Sequence, residues 1–205
     1  MINVSKHNAE LSEAINKTIW SFNHGQYRYM NEFIRLNKSG SDMLHLGLFP
    51  DAKEVTESYG ALNAVRTKLK QYEFNDPDIT LVSVGDGTTP RTAALFAFRT
   101  KWNCISIDPL LKNCCDYEEK IQRLTCYDSK VEEIYPTLLD FERVVIVAVH
   151  SHASLQNILQ HVKGKVRSLV AIPCCVPYVH SIKPIEWQDS GIWSPKNTVK
   201  VWRTI

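Results

Sequence analysis

Hydrophobic residues follow two different periods along the chain. Up to about residue 75 they recur at helical spacing. Leu11, Ile15, Ile19 and Phe22 mark one face, and Tyr29, Phe33 and Leu36 continue it after a break at Gly25. The pattern predicts one or two helices over residues 3–37, amphipathic and packed on the rest of the protein, with a turn at 38–42 (KSGSD). Pro50 opens the next helix, with Asp51 and Glu54 favourably placed in its first turn. Val55, Tyr59, Leu62, Val65 and Leu69 form its apolar face. Residues 44–49, just before it, read as a loop that closes over a pocket.

From residue 79 the pattern changes to short apolar runs separated by helical stretches. Strands are predicted at 79–84, 104–107, 124–127, 143–149 and 166–172, and helices after Pro90 and over 116–124, 131–139 and 155–162, with Pro136 distorting the third. Residues 163–165 read as a turn. The run 143–149 (RVVIVAV) is apolar throughout, as expected of a strand buried on both faces. Residues 193–197 turn into a last, alternating strand at 198–203, antiparallel at the sheet edge. The order predicts an α/β fold with a doubly wound, mostly parallel sheet, its last strand antiparallel. An N-terminal helical extension (1–42) would precede a main domain (43–205).

Composition narrows the class. The 205 residues are 44% hydrophobic and 22% charged, enough to bury a core. A net charge of +2 is too mild to argue for nucleic acid. Membrane spans are not expected, since no run of 18 apolar residues exists. The polar N-terminus lacks the apolar centre of a secretory signal. The six cysteines follow neither a disulfide framework nor CxxC zinc spacing. They read as reduced thiols and point to a cytoplasmic protein.

The candidate chemistry gathers at strand C-termini. Between the first strand and Pro90 lies a turn of Gly85, Asp86, Gly87, Thr88 and Thr89, and the second strand ends in Asp108. Glycines let the backbone approach a ligand, the new helix offers free N–H groups, and an acid beyond the next strand accepts hydrogen bonds from ribose hydroxyls. Arg91 is a cation in a first helical turn, against the dipole, and so a candidate contact for a phosphate or carboxylate. His150 and His152 follow the fourth strand as candidate general bases or hydrogen-bonded structural groups. Tyr178 and Trp187 read either as core or as rings flanking a planar substrate. His150, His152, Cys174, Cys175 and His180 end on one face, but their spacing matches no standard zinc pattern, and no metal is expected.

With VSVGDGTT as a glycine loop, SIDP as the second strand and its acid, and VVIVAVHSH as the fourth strand and its loop, the chain resembles the Rossmann-like class I S-adenosylmethionine-dependent methyltransferases from about residue 44 onward. The resemblance implies S-adenosylmethionine as cofactor. Gly85 and Gly87 would meet its methionine part, Asp108 its ribose, and Asp128 or Ser129 its adenine, with Thr88, Thr89 and His150 completing the site. Ser83 stands where the family usually has an acid, and Asp86 would replace that acid in holding the cofactor's amino group. His150 and His152 would line the acceptor site, and Cys174, Cys175 and Tyr178 would flank the acceptor. Pro173-Cys174-Cys175 is similar to methyltransferase-like proteins of which some act on RNA, so RNA is the favoured acceptor over a small molecule. The altered loop also leaves open a catalytically inactive binding or scaffold protein.

Overall fold

The computed structural model describes residues 4–205. Four helices come first: α1 (Val4–Asn23), α2 (Arg28–Ile34), α3 (Asn37–His45) and α4 (Ala52–Lys68). The sheet region follows as β1 (Ile79–Val84), α5 (Arg91–Arg99), β2 (Asn103–Ile107), α6 (Cys114–Lys120) and β3 (Leu124–Tyr127). It continues with β4 (Asp140–Val149), α7 (Leu155–His161), β5 (Lys163–Ile172), β6 (Ile185–Gln188) and β7 (Thr198–Trp202). Among the described residues these strands form one seven-stranded sheet in the order β3-β2-β1-β4-β5-β7-β6. β1 to β5 are mutually parallel where they pair, and β7 runs antiparallel to both β5 and β6. This is the doubly wound, mostly parallel, Rossmann-like sheet that the order of elements predicts.

Burial explains the continuous apolar runs. Along β4, Val145, Val147 and Val149 enter one core with α4 and α5, while Val144, Ile146 and Ala148 enter the other with α7. A strand covered on both faces needs apolar residues at every position, because successive side chains alternate between faces. α4 is set by Asp51, whose carboxylate caps the helix by accepting from the Glu54 amide at 2.9 Å. Its predicted apolar face is buried in full, and so are Thr56, Glu57 and Ser58 beside it.

Several sequence expectations are corrected. Residues 38–42 are not a turn but lie inside α3, so residue 42 falls within a helix. The helix expected over 131–139 is two 3-10 segments, Val131–Glu133 and Pro136–Leu139, because Pro136 cannot donate into a continuing helix. Residues 163–165 already belong to β5. The last strand is antiparallel as expected but is not the edge; β6 lies outside it. The N-terminal segment packs only in part. Tyr29 and Phe33 of α2 join the main core, whereas Leu11, Ile15 and Ile19 of α1 are about half exposed.

Candidate active site

A cleft of about 570 Å³ opens at the C-terminal ends of β1, β2 and β4. β1 lies between β2 and β4 in the sheet, so the cleft sits where the winding reverses direction. That is the usual ligand position of a doubly wound sheet. Gly85, Gly87, Asp108, Ser129, His150 and His152 all contribute to its lining.

The turn after β1 is built for close approach. Gly85 has φ +89° and Gly87 φ +81°, both in the left-handed region that glycine tolerates. A Cβ on Gly85 would stand 2.5 Å from the Cβ of Ser151, so the turn and the loop after β4 touch backbone to backbone. The Gly85 amide extends the β1–β2 ladder by donating to the Ile107 carbonyl at 2.8 Å. The Gly87 amide donates to Asp108 Oδ2 at 2.8 Å, and the Leu110 amide donates to Asp108 Oδ1 at 2.8 Å. Asp108 therefore knots the glycine turn to the end of β2. Each of its oxygens retains a second lone-pair direction for a hydroxyl donor.

Asp86 does something else. Its side chain turns into the protein and is 1% exposed. It accepts from Ser83 Oγ (2.9 Å), Ser106 Oγ (2.8 Å) and the amides of Thr92 (3.3 Å) and Ala93 (3.2 Å). The carboxylate thus satisfies orphan N–H groups at the start of α5 and complements its dipole. The expectation that it holds a cofactor amino group is corrected, since both oxygens are committed inside the fold. Thr88 is exposed and Thr89 donates to the Leu48 carbonyl at 2.7 Å; neither lines the cleft. That bond pins residues 44–49 against the turn, and they do not line the cleft either. Asp128 is exposed outside the lining, leaving Ser129 in its place.

His150 sits at the end of β4 with φ +52°, an uncommon conformation for a residue with a side chain. Its Nε2 lies 3.0 Å from the Lys196 carbonyl, which can only accept, so Nε2 carries a proton. Nδ1 then faces Glu57 Oε1 at 3.3 Å. Nε2 is held by the Lys196 carbonyl and Nδ1 faces a buried carboxylate of the protein, so the fold fixes His150 in place rather than presenting it to an acceptor. His152 is exposed and stands at the rim. Tyr178, expected beside the substrate, is core instead. It is 2% exposed, its hydroxyl donates to the Ala153 carbonyl at 3.0 Å, and burial pushes its pKa up to about 12. Cys174 and Cys175 lie beside the cleft rather than in its lining, their Sγ atoms 3.4 Å apart. The hydrogen bond with the Cys174 thiol raises the pKa of Cys175.

Two acids of α4 were not singled out as site residues in the sequence. Glu57 is wholly buried, and among the described residues neither oxygen receives a hydrogen bond. Lys53 Nζ at 3.6 Å and His150 Nδ1 at 3.3 Å are its ionic neighbours. Glu54 lies 3.5 Å from Arg91 Nη1; burial raises its pKa and Arg91 works against that rise. Arg91 also donates to the Asp86 carbonyl, so the carboxylate anticipated for this cation belongs to the protein itself. The sequence signal was faint: Thr56-Glu57-Ser58 are polar residues inside a helix that turns out to be buried on nearly every side.

No family model matches the chain, and no curated protein is significantly similar to it in sequence. Solved structures similar in outline include three of MtNAS, a nicotianamine synthase. A single-substitution mutant of MtNAS is 13% identical with a TM-score of 0.46, over 88% of this chain and 75% of that one. The same mutant in complex with S-adenosylmethionine is 10% identical with a TM-score of 0.45, over 88% and 78%. MtNAS in complex with MTA and tNA is 12% identical with a TM-score of 0.47, over 88% and 75%.

Proposed function

We propose that the chain binds S-adenosylmethionine in the cleft between β1 and β4 and transfers its methyl group to an acceptor entering past His152. One observation carries the reading: two left-handed glycines and an acid at the end of β2 meet in one cleft at the point where the sheet reverses. Gly85 and Gly87 let the methionine part approach the backbone. The remaining lone pairs of Asp108 accept from the ribose hydroxyls, and Ser129 lies toward the adenine. Methyl transfer from a sulfonium needs positioning more than proton transfer. A cleft whose exposed histidine, His152, stands only at the rim is compatible with it.

RNA is the acceptor favoured by the Pro173-Cys174-Cys175 resemblance, with a small molecule as the other class. The test is to incubate the protein with methyl-labelled S-adenosylmethionine and either total RNA or a small-molecule extract. Label should appear in RNA and disappear with Asp108→Ala; label in the small-molecule fraction alone would reassign the acceptor. A second reading, a binding or scaffold protein that no longer catalyses, is favoured by the mutual burial of Ser83 and Asp86. That burial leaves the turn without a free carboxylate for the amino group. Cofactor binding without label transfer to any fraction would select it.

A further inference from the structure

β4 and β5 pair in parallel up to Val149 and Ile172, so the loops that follow leave the sheet side by side. His152 comes from the first loop, and Cys174 and Cys175 from the second. Their ligand atoms lie within 4.8 Å of one another, with the two sulfurs 3.4 Å apart. A tetrahedral zinc ion, with Zn–S of about 2.3 Å and Zn–N of about 2.0–2.1 Å, sets its ligands about 3.8 Å (S to S) and about 3.6 Å (S to N) apart. Closing the triad onto such an ion takes movements of about 1 Å. Rotation of a half-buried and two exposed side chains supplies that.

Packing does not account for these thiols. Cys104 and Cys126 are buried and fill the core, as small apolar residues do. Cys174 is only half buried and Cys175 is exposed, yet both sulfurs turn toward the same histidine. The Cys174 thiol is oriented further by donating to the carbonyl of His150, the strained residue that ends β4. The other vicinal pair, Cys114 and Cys115 on α6, belongs to no comparable group among the described residues.

We propose that His152, Cys174 and Cys175 form a binding site for a thiophilic cation of the Zn²⁺ class at the rim of the cleft. Two thiolates and an imidazole select such an ion over Mg²⁺ or Ca²⁺, which require oxygen ligands. Three protein ligands leave a fourth position for water or another donor, the arrangement of reactive rather than purely structural zinc sites. Because His152 also lines the cleft, that position adjoins the space assigned to the acceptor. The site stands independently of methyl transfer: the ion requires the two thiols to lose their protons and requires no nucleoside.

The test uses the full chain, stripped with chelator and kept reduced, titrated with Co²⁺ as a spectroscopic probe and then with Zn²⁺ against a chromophoric competitor. One equivalent of Co²⁺ should give a thiolate-to-cobalt charge-transfer band, Zn²⁺ should displace it, and about two protons should be released. Cys174→Ser, Cys175→Ser and His152→Ala should each weaken Zn²⁺ binding by ~100-fold or more, since even outer-shell changes at such sites cost 10–100-fold. The Cys114→Ser/Cys115→Ser double variant should bind as the parent does. Circular dichroism melts confirm that each variant is folded. The proposal is overturned if no charge-transfer band forms, if binding survives loss of the triad, or if the Cys114/Cys115 variant loses it equally.

Discussion

Replacing each of the two turn glycines by alanine should have unequal costs, and the difference can be worked from the turn's geometry. Both residues have φ near +80 to +90°, where a Cβ costs about 1–2 kcal/mol. At Gly85 the new methyl also meets Ser151 Cβ and Oγ at 2.5 Å and Ser151 Cα at 2.7 Å. Backbone cannot swing aside, so an overpacking cost of about 1–3 kcal/mol adds to the strain. Gly85→Ala should therefore lose about 2–5 kcal/mol. At Gly87 the nearest atom is the Arg91 guanidinium, with Nη1 at 2.9 Å, the far end of a flexible side chain. Gly87→Ala should lose only about 1–2 kcal/mol, partly offset by the reduced freedom of the unfolded chain. Urea unfolding followed by circular dichroism measures both, with the slope against denaturant checked for constancy. Equal costs, or Gly85→Ala within about 0.5 kcal/mol of the parent, would refute the close approach of the two loops.

Asp86→Asn should destabilise by about 2–4 kcal/mol, because one oxygen that accepts from a hydroxyl and an amide becomes a donor; a melting temperature equal to the parent's would place the carboxylate elsewhere. Tyr178 is raised from 10.0 to about 12, so its contribution is intact below pH 10 and is lost as pH climbs from about 10 through about 12, up to ~3 kcal/mol in all. Tyr178→Phe should flatten that part of the alkaline stability curve, and an unchanged slope would contradict the assignment. In the N-terminal segment, Phe33→Ala should cost about 3–5 kcal/mol. Ile15→Ser, at a half-exposed position, should stay within about 0.5 kcal/mol. Similar losses in the two melts would show that α1 packs as closely as α2.

What could be read from the sequence follows from how local each determinant is. The strand at 143–149 was legible because burial on both faces writes itself into every position. β6 was not, since it has four residues, alternates between half-buried and exposed, and is defined by its partner β7. Helical spacing at Leu11, Ile15 and Ile19 identified a helix correctly but could not say what covers it; periodicity reports a face, not a partner. The cleft was legible through Gly85, Gly87 and Asp108, whose chemistry depends on their places at strand ends. The role of Asp86 was hidden because its partners include Ser106, twenty residues on, and the first amides of α5. Glu57 was hidden for a related reason. Its helix reads as amphipathic, and its polar side is covered from far along the chain, where the Trp193 amide donates to Thr56. His152 and Cys174 are separated by the whole crossover through α7, a spacing set by the fold rather than by any zinc-binding loop.

Titration calorimetry of the full chain with S-adenosylhomocysteine tests the nucleoside site in the cleft most directly, since this demethylated product of the cofactor binds without turnover. Saturable binding at one site per chain, abolished by Asp108→Ala and retained by Thr88→Ala, is the predicted result. No heat of binding at millimolar ligand, or binding indifferent to Asp108, would contradict the assignment of the β1–β4 cleft as a nucleoside site.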